Sequence, residues 1–247
     1  DEPVRSYDVN GLEVKKLTAD FTYTKKNILL EQLAMNTPNS EMKGRVELKY
    51  DRKDFSDFNN KVVFDVEFDK ASIASNDLNF FYNEFGKNNI FYVDTHLVGT
   101  LNNFTTHNLK LTDKNQSEII GTANFQNLFG KENQEFYMKG SFDRITSDYE
   151  ALKIIMPRVL GKNLPSVLAK LGRVDLNGDV ELTQKYINAN VYLLSKLGIV
   201  DGDLAIQNID NIDNASYQGN IKLDNFDLGT LLSEKDLGKA TLDLDVD

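Results

Sequence analysis

The stretch KVVFDVEFDK (61–70) places Val62, Phe64, Val66 and Phe68 on alternate positions, with Asp65, Glu67 and Asp69 between them. An extended chain sends successive side chains to opposite faces, so this pattern describes a strand with one apolar and one charged face. The period recurs. GRVELKY (44–50) alternates Val46, Leu48 and Tyr50, and RVDLNGDVEL (173–182) carries Val174 and Leu176 in the same phase. GNIKLDN (219–225) contributes Ile221 and Leu223, and ATLDLDV (240–246) contributes Leu242, Leu244 and Val246. Strands are expected near 11–23, 27–35, 43–51, 60–72, 89–101, 104–112, 117–127, 134–143, 173–182, 186–194, 199–208 and 215–224, with a last one opening at 240. The runs FNN, TDKNQ and GKENQ read as polar turns, and turns this short join antiparallel neighbours.

Three helical segments interrupt the alternation, at similar intervals. Asp77-Leu78 is followed by Phe81, Tyr82 and Phe85-Gly86-Lys87. Asp148-Tyr149 is followed by Leu152 and later by Leu171-Gly172-Arg173, and Asp227-Leu228 by Leu231, Leu232 and Leu237-Gly238-Lys239. Asp77, Asp148 and Asp227 are the expected helix caps, because a carboxylate accepts from the free N–H groups of a first helical turn. Gly86, Gly172 and Gly238 are the expected stops, glycine being at ease in the left-handed conformation that ends a helix. The middle segment is longer, with a Ser147-x-x-Glu150 capping box, a break at Pro157 and a second helix over LPSVLAKLG (164–172), Pro165 lying near its first turn. The order "four strands, then a capped helix" divides the chain into 1–87, 88–172 and 173–247. The last unit includes a helix near 227–236 and the first strand of a further unit.

The apolar face needs a cover. A four-strand unit is about 19 Å wide and an eight-residue strand about 26 Å long, whereas a nine-residue helix is about 13 Å long and 10 Å across. Each helix therefore shields about a quarter of its unit. Each buried Val, Leu or Phe stabilises by roughly 1.5–3 kcal/mol, so the remaining surface must curl on itself, meet a second sheet or hold an apolar ligand. The expected fold is mainly β with short helices: an extended, curved antiparallel sheet forming an apolar groove. A closed β-sandwich is the alternative.

Several functions fall away on composition. The chain has 28 Lys and Arg against 38 Asp and Glu, a net charge of −10, which disfavours phosphate-backbone contacts, so no nucleic-acid partner is expected. Without cysteine, thiolate catalysis and Cys-ligated zinc are excluded. His96 and His107 read as solvent-facing strand residues. Asp175-x-Asn177-x-Asp179 imitates a calcium loop but has Val180 where the loop needs Gly and Tyr186 where it needs Glu. The acidic group Asp201, Asp203, Asp210 and Asp213 fits turns as well as it fits a cation. The stripe Leu78, Phe81, Tyr82 and Phe85 reads as core more than as ligand contact. No hydrolase, P-loop or metalloprotease motif occurs, and no enzyme activity, metal or catalytic residue is expected. The start at Asp1-Glu2-Pro3 and the strand cut at Asp247 lead us to expect a piece of a longer protein.

The segment NIKLDNFDLGTLLSEKDLGKATLDLDVD (220–247) resembles the recurring unit of TamB-like proteins within the AsmA-like group of bacterial envelope proteins, and HLVGTLNNFTTHNLKL (96–111) is similar to a strand pair of the same group. The resemblance covers the chain from about Met42 onward. It implies a repeating β-groove, a periplasmic location and an inner-membrane anchor outside this segment. It also implies a role in moving phospholipid to the outer membrane, or in envelope assembly, beside an outer-membrane barrel of the Omp85 type engaged through other regions. Phospholipid or fatty acyl chains are the only ligands this implies. Val46, Leu48, Val62, Phe64, Val66, Phe68, Val174, Leu176, Ile221, Leu223, Leu242, Leu244 and Val246 would line the groove, and the helical insert at 148–172 could plug it. The alternative is a dry-cored β-rich scaffold, or an adhesion-type module, binding protein partners through its acidic outside.

Overall fold

Thirteen alternating runs become thirteen strands, and each pairs antiparallel with the strand before it in sequence. The computed structural model describes residues 11–81, 85–128, 134–155, 164, 166–209 and 214–247. The first strands are Lys16–Tyr23 (β1), Asn27–Asn36 (β2), Glu41–Lys49 (β3) and Val63–Ala74 (β4). Ile90–Thr100 (β5), Asn103–Asp113 (β6), Glu118–Gln126 (β7) and Tyr137–Ser147 (β8) follow. Val174–Thr183 (β9), Tyr186–Ser195 (β10), Gly198–Gln207 (β11), Ser216–Asp227 (β12) and Lys239–Val246 (β13) complete the sheet. Among the described residues the helices are short: Phe58–Lys61 (α1), Ser75–Phe81 (α2), Tyr149–Ile155 (α3) and Leu228–Leu232 (α4). Helices α2, α3 and α4 follow β4, β8 and β12, so every fourth strand is succeeded by a helix at the same end of the sheet.

The hairpin turns share one device. Thr24, Thr37, Thr100, Asp113, Thr183 and Ser195 each stand at or just past a strand end, and each side-chain oxygen accepts from a backbone N–H two to four residues on, at 2.7–3.2 Å. Such side-chain turns reverse the chain and satisfy donors that the ladder leaves free.

Four strands carry a residue in the left-handed region at a break in register. These are Gln32 in β2, Lys70 in β4, Asn108 in β6 and Asn225 in β12, with φ between 46° and 51°. Each is a bulge that inserts one residue, bends the strand and increases its twist. Each also corrects the phase. The apolar set of β4 steps from Phe68 to Ala71, an odd interval, and only the bulge at Lys70 keeps both on one face.

The sheet is single and open. Its order runs from β1 to β13 without closure, so the sandwich alternative does not hold. The accessible surface is 14,863 Å², whereas a compact chain of 28.0 kDa would expose about 11,000 Å². An excess of about a third fits a curved sheet that, among the described residues, has no second sheet over it.

Two local expectations are corrected. FNN (58–60) is no turn between strands: a 3-10 helix over Arg52–Asp57 runs into α1, and Tyr50, Phe55, Phe58 and Phe64 contact in succession, edge to face except for the stacked Phe55–Phe58 pair, with ring centroids 4.6–6.3 Å apart. Val62 is fully buried at the end of α1, one residue before β4 begins. The segment expected to form a second helix at 164–172 is a 3-10 turn over Ser166–Leu171.

Candidate functional site: one apolar face across thirteen strands

The register places the alternating apolar residues of all the strands on the same side. At one end Tyr23, Ile28, Leu48 and Phe64 stand opposite one another across β1–β4, beside the row Phe21, Leu30, Val46 and Val66. Across β6–β13 one row reads Leu109, Gly121, Phe142, Gly178, Val191, Gly202, Ile221, Leu244. The next reads Leu111, Ile119, Ile145, Leu176, Leu193, Val200, Leu223, Leu242. At about 4.8 Å per strand the twelve spacings make a face about 58 Å long.

The strand-borne groove candidates all lie on this face, but with unequal exposure. Val66, Val174 and Leu223 are buried, and Val46, Leu48, Phe64, Phe68, Leu176, Ile221 and Val246 are half-buried. Leu242 and Leu244 are exposed, at 38% and 39%. Sequence reasoning missed most of the face, above all β10 and β11, where Ala189, Val191, Leu204 and Ile206 alternate as cleanly as the strands that were singled out.

Glycine shapes the middle of the face. Gly44 (φ +151°) and Gly178 (φ +130°) adopt conformations that side chains rarely take. A Cβ on Gly44 would overlap the carbonyl oxygen of Glu67, and one on Gly178 that of Asn190. At these points adjacent strands approach too closely for any residue with a side chain.

The helices seal one rim of the face. Leu168 and Leu171 from the 3-10 turn, with Leu228 and Leu231 around α4, pack on Val174, Leu197, Leu223 and Phe226. The first unit uses polar groups instead. Asp77 lies in the first turn of α2, not ahead of it, and its carboxylate accepts from Thr37 Oγ1 (2.5 Å), Ser40 Oγ (2.5 Å) and Asn39 Nδ2 (3.1 Å). It therefore ties the helix to the β2–β3 turn and does not cap the helix as expected. Burial opposes its ionisation, but the donors from Ser40, Thr37 and Asn39 outweigh that and hold the carboxyl below its ordinary range.

Asp148 and Asp227 are true caps. Asp148 Oδ1 accepts from Ala151 N (2.9 Å), and Asp227 accepts from Thr230 N (2.8 Å) and Thr230 Oγ1 (2.7 Å). Asp148 thus caps as expected, and the cap is not the Ser147 of the expected capping box. Ser147 is instead fully buried, 3.0 Å from Ser117 Oγ. Of the three glycines only Gly172 is left-handed, at φ +70°. Gly86 packs closely enough that a Cβ would stand 3.0 Å from the carbonyl oxygen of Ile154 in α3. Helix α4 is ended by Ser233, five residues before Gly238: its left-handed backbone (φ 62°) turns the Glu234 N–H back onto the Gly229 carbonyl at 3.0 Å.

The opposite face is charged and polar for the most part, with Tyr92, Tyr192 and Leu194 exposed on it. His96 and His107 are cross-strand neighbours there, and His96 Nε2 lies 2.8 Å from Asp65 Oδ1. Lys49 (2.8 Å) and His96 together hold the Asp65 carboxyl below its ordinary range. Asp179, Asn190, Asp203, Asn220 and Asp245 form one cross-strand row in which Asn separates each Asp from the next. That spacing relieves like-charge repulsion. Asp175, Asn177 and Asp179 thus belong to a strand face and not to a calcium loop. Among the described residues no group of three or more His, Cys, Asp or Glu is placed to hold a metal ion. No helix there is long and apolar enough to cross a membrane. Tyr82, Pro157, Pro165, Asp210 and Asp213 lie outside the described residues.

Compared with known proteins, the chain matches no family model, no curated protein and no solved structure.

Proposed function

We propose that this chain is a non-catalytic carrier surface for hydrocarbon, a bridge segment in the bacterial periplasm that shields acyl chains as phospholipid moves toward the outer membrane. The observation that carries the reading is the apolar face itself, thirteen strands long, turned to one side and, among the described residues, left without a second sheet. From β9 to β13 the paired residues of that face include no charged side chain. A peptide laid there in extended form would leave its own N–H and C=O groups unpaired at a cost of kcal/mol each, whereas hydrocarbon has none to satisfy. The likeness of 220–247 and 96–111 to TamB-like and AsmA-like units supports the same reading, including an anchor and an Omp85-type partner supplied by other regions. Native mass spectrometry after mild extraction tests it. Co-purifying phospholipid is expected, and a lipid-free chain that also refuses added phospholipid would favour the dry scaffold.

A further inference from the structure

Charge on the polar face changes along the sheet. On β3 and β4, Arg45 and Lys49 pair with Glu47 and Asp65, and across β6–β8 Lys110 and Arg144 lie within 3.9 Å of Glu118. From β9 to β13 that balance is lost. Tyr192, Asp201, Lys222 and Asp243 form one cross-strand row, and Asp175, Leu194, Ile199 and Asp224 form the next. In these two rows Lys222, 3.8 Å from Asp243, stands among four aspartates.

Inside this acidic frame sits an apolar patch. Tyr192 is 43% and Leu194 47% exposed, and Ile199 is half-buried beside Leu194. Both exposed residues lie on β10, three strand spacings from the β13 edge and paired on both sides, so edge position does not account for their exposure. A depression of about 530 Å³ opens next to them, lined by Tyr192, Ile199, Asp201, Lys222, Asp224 and Asp243 among others. It lies where the Asn225 bulge interrupts the β12–β13 ladder.

We propose that this patch docks a cationic amphipathic helix of another protein. An extended peptide finds no ladder to join there, because β9–β12 have neighbours on both sides, whereas a helix satisfies its own backbone. Helix side chains at i and i+3 or i+4 stand about 5–6 Å apart. Neighbouring strands are about 4.8 Å apart and alternate residues on one strand about 7 Å, so two apolar anchors fit over Tyr192, Leu194 and Ile199. Lys or Arg on either flank then meets Asp175 on one side and Asp201 and Asp224 on the other. The site is independent of the carrier reading: it uses the opposite face, and the aspartates repel an anionic fatty acid or phospholipid.

The test uses a synthetic amphipathic helix of Leu and Lys as probe and a Leu/Glu helix as control, with binding to the full chain read by fluorescence anisotropy. The Lys helix is expected to bind and the Glu helix is not. Tyr192→Ala with Leu194→Ser, and separately Asp201→Asn with Asp224→Asn, should each weaken binding about tenfold or more, while Leu244→Ser on the apolar face changes it less than about twofold. All five positions are exposed, so the variants keep the fold. Methyl NMR of the unaltered chain gives a second answer: the Lys helix should shift Leu194 and Ile199 and leave Val191 and Leu244 in place. Absence of binding, equal binding of both helices, binding that survives the patch substitutions, or shifts centred on Val191 and Leu244 overturns the proposal and leaves the carrier reading standing.

Discussion

Asp77 shows how a single buried carboxylate can join two elements. Its three donors come from the β2–β3 turn while its backbone belongs to α2. Replacing Asp77 by Ala removes a charged acceptor and strands Thr37 and Ser40, so a loss of about 2–3 kcal/mol in urea unfolding is expected. Its carboxyl is depressed in the folded state, so its contribution is complete above the unfolded value, about 3.9, and is lost as pH falls through the lower folded value. Asp77→Asn should therefore differ from wild type at neutral pH and converge with it under acid. Tyr186 runs the other way. Its hydroxyl donates to Glu181 Oε1 at 2.8 Å, and that bond, with burial, pushes its pKa up to about 12. Its contribution is complete below about pH 10 and is lost as pH rises toward 12. Tyr186→Phe should lack that alkaline loss in thermal unfolding. A third substitution tests the floor of the face: Gly178→Ala drives a Cβ into the Asn190 carbonyl, and a loss above about 2 kcal/mol is expected.

At the scale of elements, the helix ends separate cap from ornament. Asp227→Ala should lower the thermal midpoint measurably, because two bonds to Thr230 are lost. Gly238→Ala should change stability by less than about 0.5 kcal/mol, since nothing lies within 4 Å of the added methyl. The alternation in 61–70 and 240–246 made the strands readable, and three helices were foreseen where α2, α3 and α4 stand. Their ends were not, because Asp and Gly mark helix termini only statistically. A serine tolerates the left-handed conformation at Ser233, and a carboxylate already in the helix can serve a neighbouring turn. Helix α1 went unread because FNN carries the same polar signal whether it turns or coils. The bulges were legible in principle. An odd apolar interval such as Leu30 to Leu33 or Phe68 to Ala71, with a polar residue between, announces the extra residue.

The whole molecule follows from one repeated decision. Thirteen strands keep the same phase, bulges in β2, β4, β6, β8 and β12 repair it, and the helices seal one rim without covering the face. Alternation alone shows that such a face exists; it does not show where the face is wet. That depends on loops reaching over from afar, as Phe136 and Ile209 do, and on where glycines let neighbouring strands close in. The central claim is that hydrocarbon rests on this face and not on the other. Methyl NMR with a spin-labelled stearate tests it within one sample. Signals of Val191, Leu204, Ile221 and Leu244 should broaden, while those of Val98, Ile120, Leu194 and Ile199, which point the opposite way, stay sharp. Equal broadening of both sets, or of neither, would contradict the account.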